Sequence, residues 1–170
     1  MPDEAIIERP PVEIPIPSRP GMVALVDPEF AHLAEQHWHI NRDGYPMTTV
    51  RLPTGEWRKR FMHLFVFDPG TGMKTDHKNR NRLDNRAENL RAATTSQNGQ
   101  NRTKKGGMSP YKGVTWNRDR KRWQAQIMVK YRQLYLGLFA SPEDAASAYD
   151  TAARTHHGEF AVTNFEVTDV

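Results

Sequence analysis

The sequence predicts an α+β protein with short antiparallel strands and few helices. Residues 122–129 alternate between apolar and polar side chains, which is the pattern of a half-buried strand. Residues 142–157 instead place alanines and a tyrosine at helical spacing. At 170 residues, 37% of them hydrophobic, the chain can form one ordinary domain or two small ones, each with a small core.

Residues 1–20 form a proline-rich segment with six prolines. Proline lacks an amide proton and breaks helix interiors, so we expect this segment to begin disordered or as polyproline II. Val12, Ile14 and Ile16 alternate with other residues and predict a short edge strand, where proline is tolerated.

Residues 22–52 predict a small α/β unit. The apolar run 22–26 is typical of a strand, and Asp27 followed by Pro28 is typical of a helix start. Two more strands are predicted at 38–40 and 45–52, and a basic strand that turns into an apolar segment is predicted at 57–67.

The segment from Asp76 to Asn98 has the side chains that phosphodiester hydrolysis requires. Asp76 offers a hard oxygen ligand for a divalent metal, and His77 offers a base that titrates near neutral pH. Several arginines in the same segment suit a polyanionic substrate. Taken one at a time, these residues are typical of turns, caps and surfaces. Only their joint spacing predicts an active site.

This spacing, extended by Leu83-Asp84-Asn85 and Glu88-Asn89-Leu90-Arg91, resembles the HNH endonuclease motif of the ββα-metal class, in its homing-endonuclease form. The resemblance implies a hairpin followed by a helix and one Mg²⁺ (or Mn²⁺) held by Asp76 and Asn98. It implies that His77 deprotonates the attacking water and that Asn89 orients the His77 ring. The family usually has a basic residue after the position of His63. Here Leu64 follows, so we expect His63 to be structural, packed behind the hairpin.

A second pattern begins at Ser109, after a basic linker at 103–108 that contains glycine. Strands are predicted at 111–116, 122–129 and 133–138, with Leu134 and Leu136 facing inward. A helix is predicted to begin after the N-cap Ser141 and to end at Gly158 in a left-handed cap.

The motifs YKGV, W-x-A-x-I, LG-x-F and AA-x-AYD-x-AA resemble the Apetala-two DNA-binding domain of plant ethylene-response factors, over about residues 109–165. The resemblance implies that the exposed sheet face enters the major groove of double-stranded DNA. Thr115, Met128 and Gln133 replace arginines of that family, so its target sequence does not transfer. The positions that match the DNA-contacting face are Lys112, Thr115, Asn117, Arg122, Gln124, Gln126, Met128, Gln133 and Tyr135.

Charge is unevenly distributed along the chain. Residues 57–135 contain 19 basic and 5 acidic side chains, a net charge of +14, whereas 1–56 and 136–170 each have a net charge of −5. A basic block of this kind indicates a nucleic-acid partner. The chain has no cysteine, which excludes disulfides and thiolate zinc sites. It has no apolar run long enough to span a bilayer and no signal-peptide pattern, so we expect a cytoplasmic protein of a bacterial or phage-infected cell.

Together these patterns predict a Mg²⁺-dependent DNA endonuclease, with an HNH domain at 21–102 and a DNA-recognition domain at 109–165. One active site per chain predicts a nicking enzyme that acts as a monomer on DNA, with no small-molecule substrate. A non-catalytic DNA-binding regulator is the main alternative. An RNA-binding protein ranks third, because the aromatic-rich sheet of single-stranded RNA readers is missing.

Overall fold

The computed structural model describes residues 10–104 and 106–166, which form a mixed α/β protein with several small antiparallel sheets. The chain divides into two compact units between Ala92 and Ala93. No helix among the described residues is long and apolar enough to cross a membrane. The strands are β1 (Val12–Pro15), β2 (Val23–Val26), β3 (His39–Ile40), β4 (Pro46–Arg51), β5 (Trp57–Phe61), β6 (Lys74–His77), β7 (Leu90–Ala93), β8 (Val114–Asn117), β9 (Arg122–Val129) and β10 (Arg132–Phe139). The α-helices are α1 (His63–Val66), α2 (Thr95–Gln100) and α3 (Pro142–His157).

The proline-rich segment contributes to the core of the first unit. The predicted edge strand is present as β1, which pairs antiparallel with β2. Ile14 and Ile16 are buried in one cluster with Leu33 and Trp38, since alternate residues of a strand point to the same side. The expected disorder or polyproline II conformation of residues 1–9 lies outside the described residues.

The helix predicted after Asp27 is a 3₁₀ helix, Pro28–Glu35. The Asp27 side chain does not cap it. Its carboxylate instead accepts a hydrogen bond from the Ala87 amide at 2.7 Å, far along the chain. The position of Asp27 just before Pro28 predicts that its side chain caps the helix. The structure shows that the carboxylate accepts from the distant Ala87 amide instead.

A three-stranded antiparallel sheet in the order β3-β4-β5 follows, and the apolar half of the predicted 57–67 segment forms α1. Next along the chain, β6 and β7 form a two-stranded sheet and α2 succeeds them, so the predicted order of strand, strand and helix is present. A capping box starts α2: the Thr94 side chain accepts from the Gln97 amide, and the Gln97 side chain accepts from the Thr94 amide.

The second unit has a sheet in the order β10-β9-β8, with α3 packed on one of its faces. A bulge in β10 places Leu136 between the pairs Tyr135–Gln126 and Gly137–Ala125. Leu136 packs against the core as predicted. Leu134 pairs with the buried Ile127 and therefore faces inward as predicted, but its side chain is 37% exposed because β10 is an edge strand.

Helix α3 begins as predicted, with the Ser141 hydroxyl accepting from the Asp144 amide at 3.1 Å and Pro142 at the first position. Gly158 follows the helix with φ +53° and ψ −128°. The φ is positive, as predicted, but the ψ lies outside the left-handed helical region, so the expected left-handed cap is wrong. A 3₁₀ helix, Gly158–Phe160, continues the chain at this point.

Small residues allow α3 to approach the sheet closely. Gly113, which precedes β8, has φ +76°, and a Cβ atom built on it would lie 1.9 Å from Cδ2 of Tyr149 on α3. Ala125 and Ala145 are completely buried in the same interface. The packing distance is therefore fixed by the absence of side-chain atoms at these positions.

We predict that Gly113→Ala destabilises the protein by roughly 2–5 kcal/mol, because overpacking adds to the strain of a positive φ. Gly72→Ala is the matched control, since Gly72 has φ +77° and no atom within 4 Å of the added Cβ. It is expected to cost only about 1–2 kcal/mol. Equal losses for the two variants in urea unfolding would contradict the close approach to Tyr149.

Candidate functional site

His77 is the last residue of β6, and its ring is buried. Its Nε2 lies 3.2 Å from Oδ1 of Asn85. The amide nitrogen of Asn85 donates to the Leu83 carbonyl at 3.2 Å, so its oxygen is the atom that faces the histidine. This arrangement places the ring proton on Nε2 and the basic lone pair on Nδ1.

Burial, with a smaller contribution from the charge of Arg82, lowers the pKa of His77 and outweighs three raising effects. The hydrogen bond to Asn85 and the charges of Asp76 and Asp84 all favour protonation. Because the pKa of His77 is lowered overall, its imidazole is neutral at neutral pH, as a general base must be.

The loop between β6 and β7 is held by a network centred on Asp84. Arg86 donates twice to this carboxylate, at 2.8 Å each, and Asn79 donates at 2.8 Å. The hydrogen bond from Arg86 lowers the pKa of Asp84. Asn89 donates to the Asp84 carbonyl at 2.7 Å and accepts from the Asn79 amide at 2.9 Å. Asn89 therefore stabilises this loop, and its predicted role in orienting His77 stays a prediction.

The same loop is joined to the N-terminal part of the unit. The Leu25 amide in β2 donates to the Leu83 carbonyl at 2.7 Å, and the Asn85 amide donates to the Leu25 carbonyl at 2.8 Å. These bonds hold Asn85 within hydrogen-bond distance of the His77 ring. In the sequence Asn85 belongs to the spacer of the motif, and nothing local to it marks a contact with His77.

Asp76 precedes His77 in β6 and is buried. Its Oδ2 accepts from Nε of Arg91 in β7 at 2.9 Å, an ion pair between two nearly buried side chains. A fixed carboxylate oxygen is a suitable ligand for Mg²⁺, which takes few protein ligands. Among the described residues no group of three or more His, Asp or Glu side chains could hold a metal ion. Asn98 lies on α2 in the second unit, so its pairing with Asp76 stays a prediction.

His63 is buried beside His77, with ring centroids 5.3 Å apart, and it stacks on Phe61 at 5.4 Å. This position agrees with the structural role predicted for it. Nδ1 of His63 has no hydrogen-bond partner among the described residues. Burial, with a smaller effect of His77, lowers the pKa of His63 to about 4.

A basic strand leads to this site. Strand β5 exposes Trp57, Arg58, Lys59 and Arg60 and ends at Phe61, which stacks on His63. Trp57 is 67% exposed. Exposed cations next to a candidate nuclease centre suit the phosphates of a polyanion.

The second unit places the predicted DNA-contacting positions on one sheet face. Antiparallel pairing sets Thr115 opposite Gln124, Asn117 opposite Arg122, Tyr135 opposite Gln126 and Gln133 opposite Met128, and paired residues point to the same side. Ala125 and Ile127 lie on the other side, towards α3. The ninth position, Lys112, precedes β8, and its ammonium group donates to the Gln100 carbonyl.

Two groups of known proteins are similar to parts of this chain. Residues 69–100 match the family model of the HNH endonucleases. Part of the chain is also similar to the AP2-like ethylene-responsive transcription factors ANT (48% identity over 64 residues) and AIL7 (51% over 63 residues) of Arabidopsis thaliana. It is 48% identical over 64 residues to the AP2-like ethylene-responsive transcription factor CRL5 of Oryza sativa subsp. japonica. Each match covers 36% of this chain and 12%, 13% and 10% of the respective relative.

The resemblances to the HNH endonucleases and to the AP2-like factors are thus confirmed, and the homing-endonuclease form stays a prediction. An HNH endonuclease segment indicates nuclease activity, and the similarity to AP2-like factors supports DNA binding.

The pKa of His63 generates a testable pH dependence. A histidine with a folded pKa of about 4, against 6.5 for the unperturbed group, makes the unfolded state bind more protons between these values. The stabilisation that depends on a neutral His63 is therefore fully present above pH 6.5. It is lost as the pH falls towards about 4. We predict that His63→Leu reduces this loss by about 3 kcal/mol, measured by urea unfolding of both proteins at several pH values. An unchanged pH profile would show that His63 is not buried as a neutral group.

Proposed function

We propose that this protein is a Mg²⁺-dependent DNA endonuclease that nicks one strand and leaves a 3′-hydroxyl and a 5′-phosphate. The observation that carries the proposal is the buried His77, hydrogen-bonded to Asn85 and adjacent to Asp76, within the segment that matches HNH endonucleases. A bacterial or phage-infected cell is the setting we propose, with one chain acting on each site.

The proposed chemistry assigns a role to each residue of the site. His77 takes the proton of the attacking water on Nδ1, while Asn85 holds the ring through Nε2. Asp76 and Asn98 would hold the metal, and Arg91 fixes the carboxylate of Asp76. A bound Mg²⁺ supplies positive charge that stabilises the phosphate and the departing 3′ oxygen.

DNA binding is proposed to depend on the sheet face of the second unit. Residues 111–135 contain 7 basic and 1 acidic side chains, a net charge of +6. Helix α3, on the opposite side of the sheet, has acidic residues in its first turn. This distribution of charge favours binding of a polyanion by the outer face of the sheet. The major groove of DNA is wide enough to admit a β-ribbon.

A non-catalytic DNA-binding regulator is the second candidate, because the AP2-like relatives named above are transcription factors. Supercoiled plasmid incubated with and without Mg²⁺ separates the two. Conversion to the nicked form only with Mg²⁺ supports the endonuclease. Binding without any cleavage would support the regulator.

We predict that His77→Ala lowers the nicking rate by roughly 10²–10⁴-fold, because a general base acts on the chemical step. Affinity for the same duplex is expected to stay within about twofold, since a base adds little to ground-state binding. His37→Ala, at an exposed histidine of the same unit, is the matched control and should cleave normally. Cleavage at the wild-type rate by a folded His77→Ala protein would remove His77 from the mechanism.

We predict that Asp76→Ala and Asn98→Ala each abolish Mg²⁺-dependent nicking and weaken Mn²⁺ binding in calorimetric titration, because each removes one of few protein ligands. Asp68→Ala, at an exposed-loop carboxylate that accepts from the nearby Gly70 amide, is the control for charge. Wild-type Mn²⁺ affinity in both site variants would contradict this ligand assignment.

A further inference from the structure

A row of amide side chains crosses the outer face of the second sheet. Nδ2 of Asn117 donates to Oε1 of Gln124 at 3.1 Å, and Nε2 of Gln124 donates to Oε1 of Gln126 at 3.0 Å. Gln133, on the neighbouring strand β10, also donates to Oε1 of Gln126. The four amides form one connected set.

The direction of this row is fixed at its first member. Oδ1 of Asn117 accepts from the Arg120 backbone amide at 3.0 Å, and a backbone amide can only donate. Asn117 must therefore present its nitrogen to Gln124, and each later amide is oriented in turn. Since the oxygen of Gln126 receives two donors, the row ends with the nitrogen of Gln126 and the oxygen of Gln133 as its outward groups.

Apolar side chains flank this end of the row. Tyr135 pairs with Gln126 and is 61% exposed, and Met128 pairs with Gln133 and is 51% exposed. A donor and an acceptor next to apolar surface match one base pair of B-DNA particularly well. Adenine presents an acceptor at N7 and a donor at N6, and its partner thymine presents a methyl group.

We propose that the amide row reads an A·T base pair in the major groove. The nitrogen of Gln126 donates to adenine N7, the oxygen of Gln133 accepts from N6, and Met128 or Tyr135 contacts the thymine methyl group. Guanine is rejected because it presents two acceptors, one of which faces the Gln133 oxygen. The row is formed before DNA binds, so little side-chain freedom is lost on recognition.

This inference rests on the proposed binding of DNA by the sheet. The net charge of +6 on residues 111–135 favours a nucleic acid over a protein partner. Duplex RNA fits less well, because its major groove is too narrow for side chains to read.

The test is binding-site selection by the full chain from a random DNA duplex library, with EDTA present to prevent cleavage. We expect a consensus with an A·T pair at a fixed position. Replacing that adenine by 7-deazaadenine removes N7 and should weaken binding by roughly tenfold. Replacing it by 2,6-diaminopurine changes only the minor groove and should have little effect.

Two variants connect the consensus to the row. Gln126→Arg combined with Gln133→Leu should shift the selected position to G·C, since arginine donates to both guanine acceptors and the oxygen that rejects guanine is gone. Gln133→Leu should let A·T and G·C bind about equally, because the acceptor that rejects guanine is gone. Gln36→Leu, at an exposed glutamine of the first unit, is the matched control and should keep the wild-type consensus.

The inference is overturned by a wild-type G·C consensus, by full affinity for the 7-deazaadenine site, or by binding without any sequence preference. Plasmid nicking with Mg²⁺, measured on the same preparations, separates this result from the endonuclease proposal. Nicking without an A·T consensus overturns only the readout. An A·T consensus without nicking supports the readout and overturns only the endonuclease. Failure to bind DNA overturns both.

Discussion

The first unit depends on one completely buried amide, Asn85. Its backbone amide donates to Leu25 in β2, its side-chain nitrogen donates to Leu83, and its side-chain oxygen faces His77. A buried polar side chain is tolerated only when its groups are hydrogen-bonded, and each of these bonds also fixes another part of the unit. The orientation of the candidate base is thus linked to the pairing of the loop with the N-terminal strand.

The surroundings of this amide explain why a histidine can act as a base here. The buried His77 and His63 rings lie edge to face, and both contact the half-buried Tyr45 ring. Burial lowers the pKa of both histidines. Asn85 and Asp76 limit the effect on His77 by favouring its charged form. His63, whose Nδ1 has no partner among the described residues, shows the larger consequence of burial. The pair illustrates how two equal side chains acquire different basicities from their neighbours.

The second unit uses a different constraint. Gly113 and the alanines of α3 bring the helix so close to the sheet that one face is filled by small and aromatic side chains. The opposite face is left mostly to polar residues, among them the hydrogen-bonded amide row. The alternation of β9 thus puts close packing on one face of the sheet and the amide row on the other.

Most of the strands, the start of α3 and the candidate base could be predicted from local patterns in the sequence. The alternation at 122–129, the Ser141-Pro142 helix start and the spacing of Asp76 and His77 are local patterns, and the strands, the helix and the HNH match agree with them. The contacts between residues far apart in the sequence could not be predicted and are known only from the tertiary structure. It paired Asp27 with Ala87, set Asn85 against His77 and exposed Leu134 at the sheet edge. Periodicity reports which face of an element is apolar, but it does not report which distant donor meets a given acceptor, because that depends on how the chain folds back on itself.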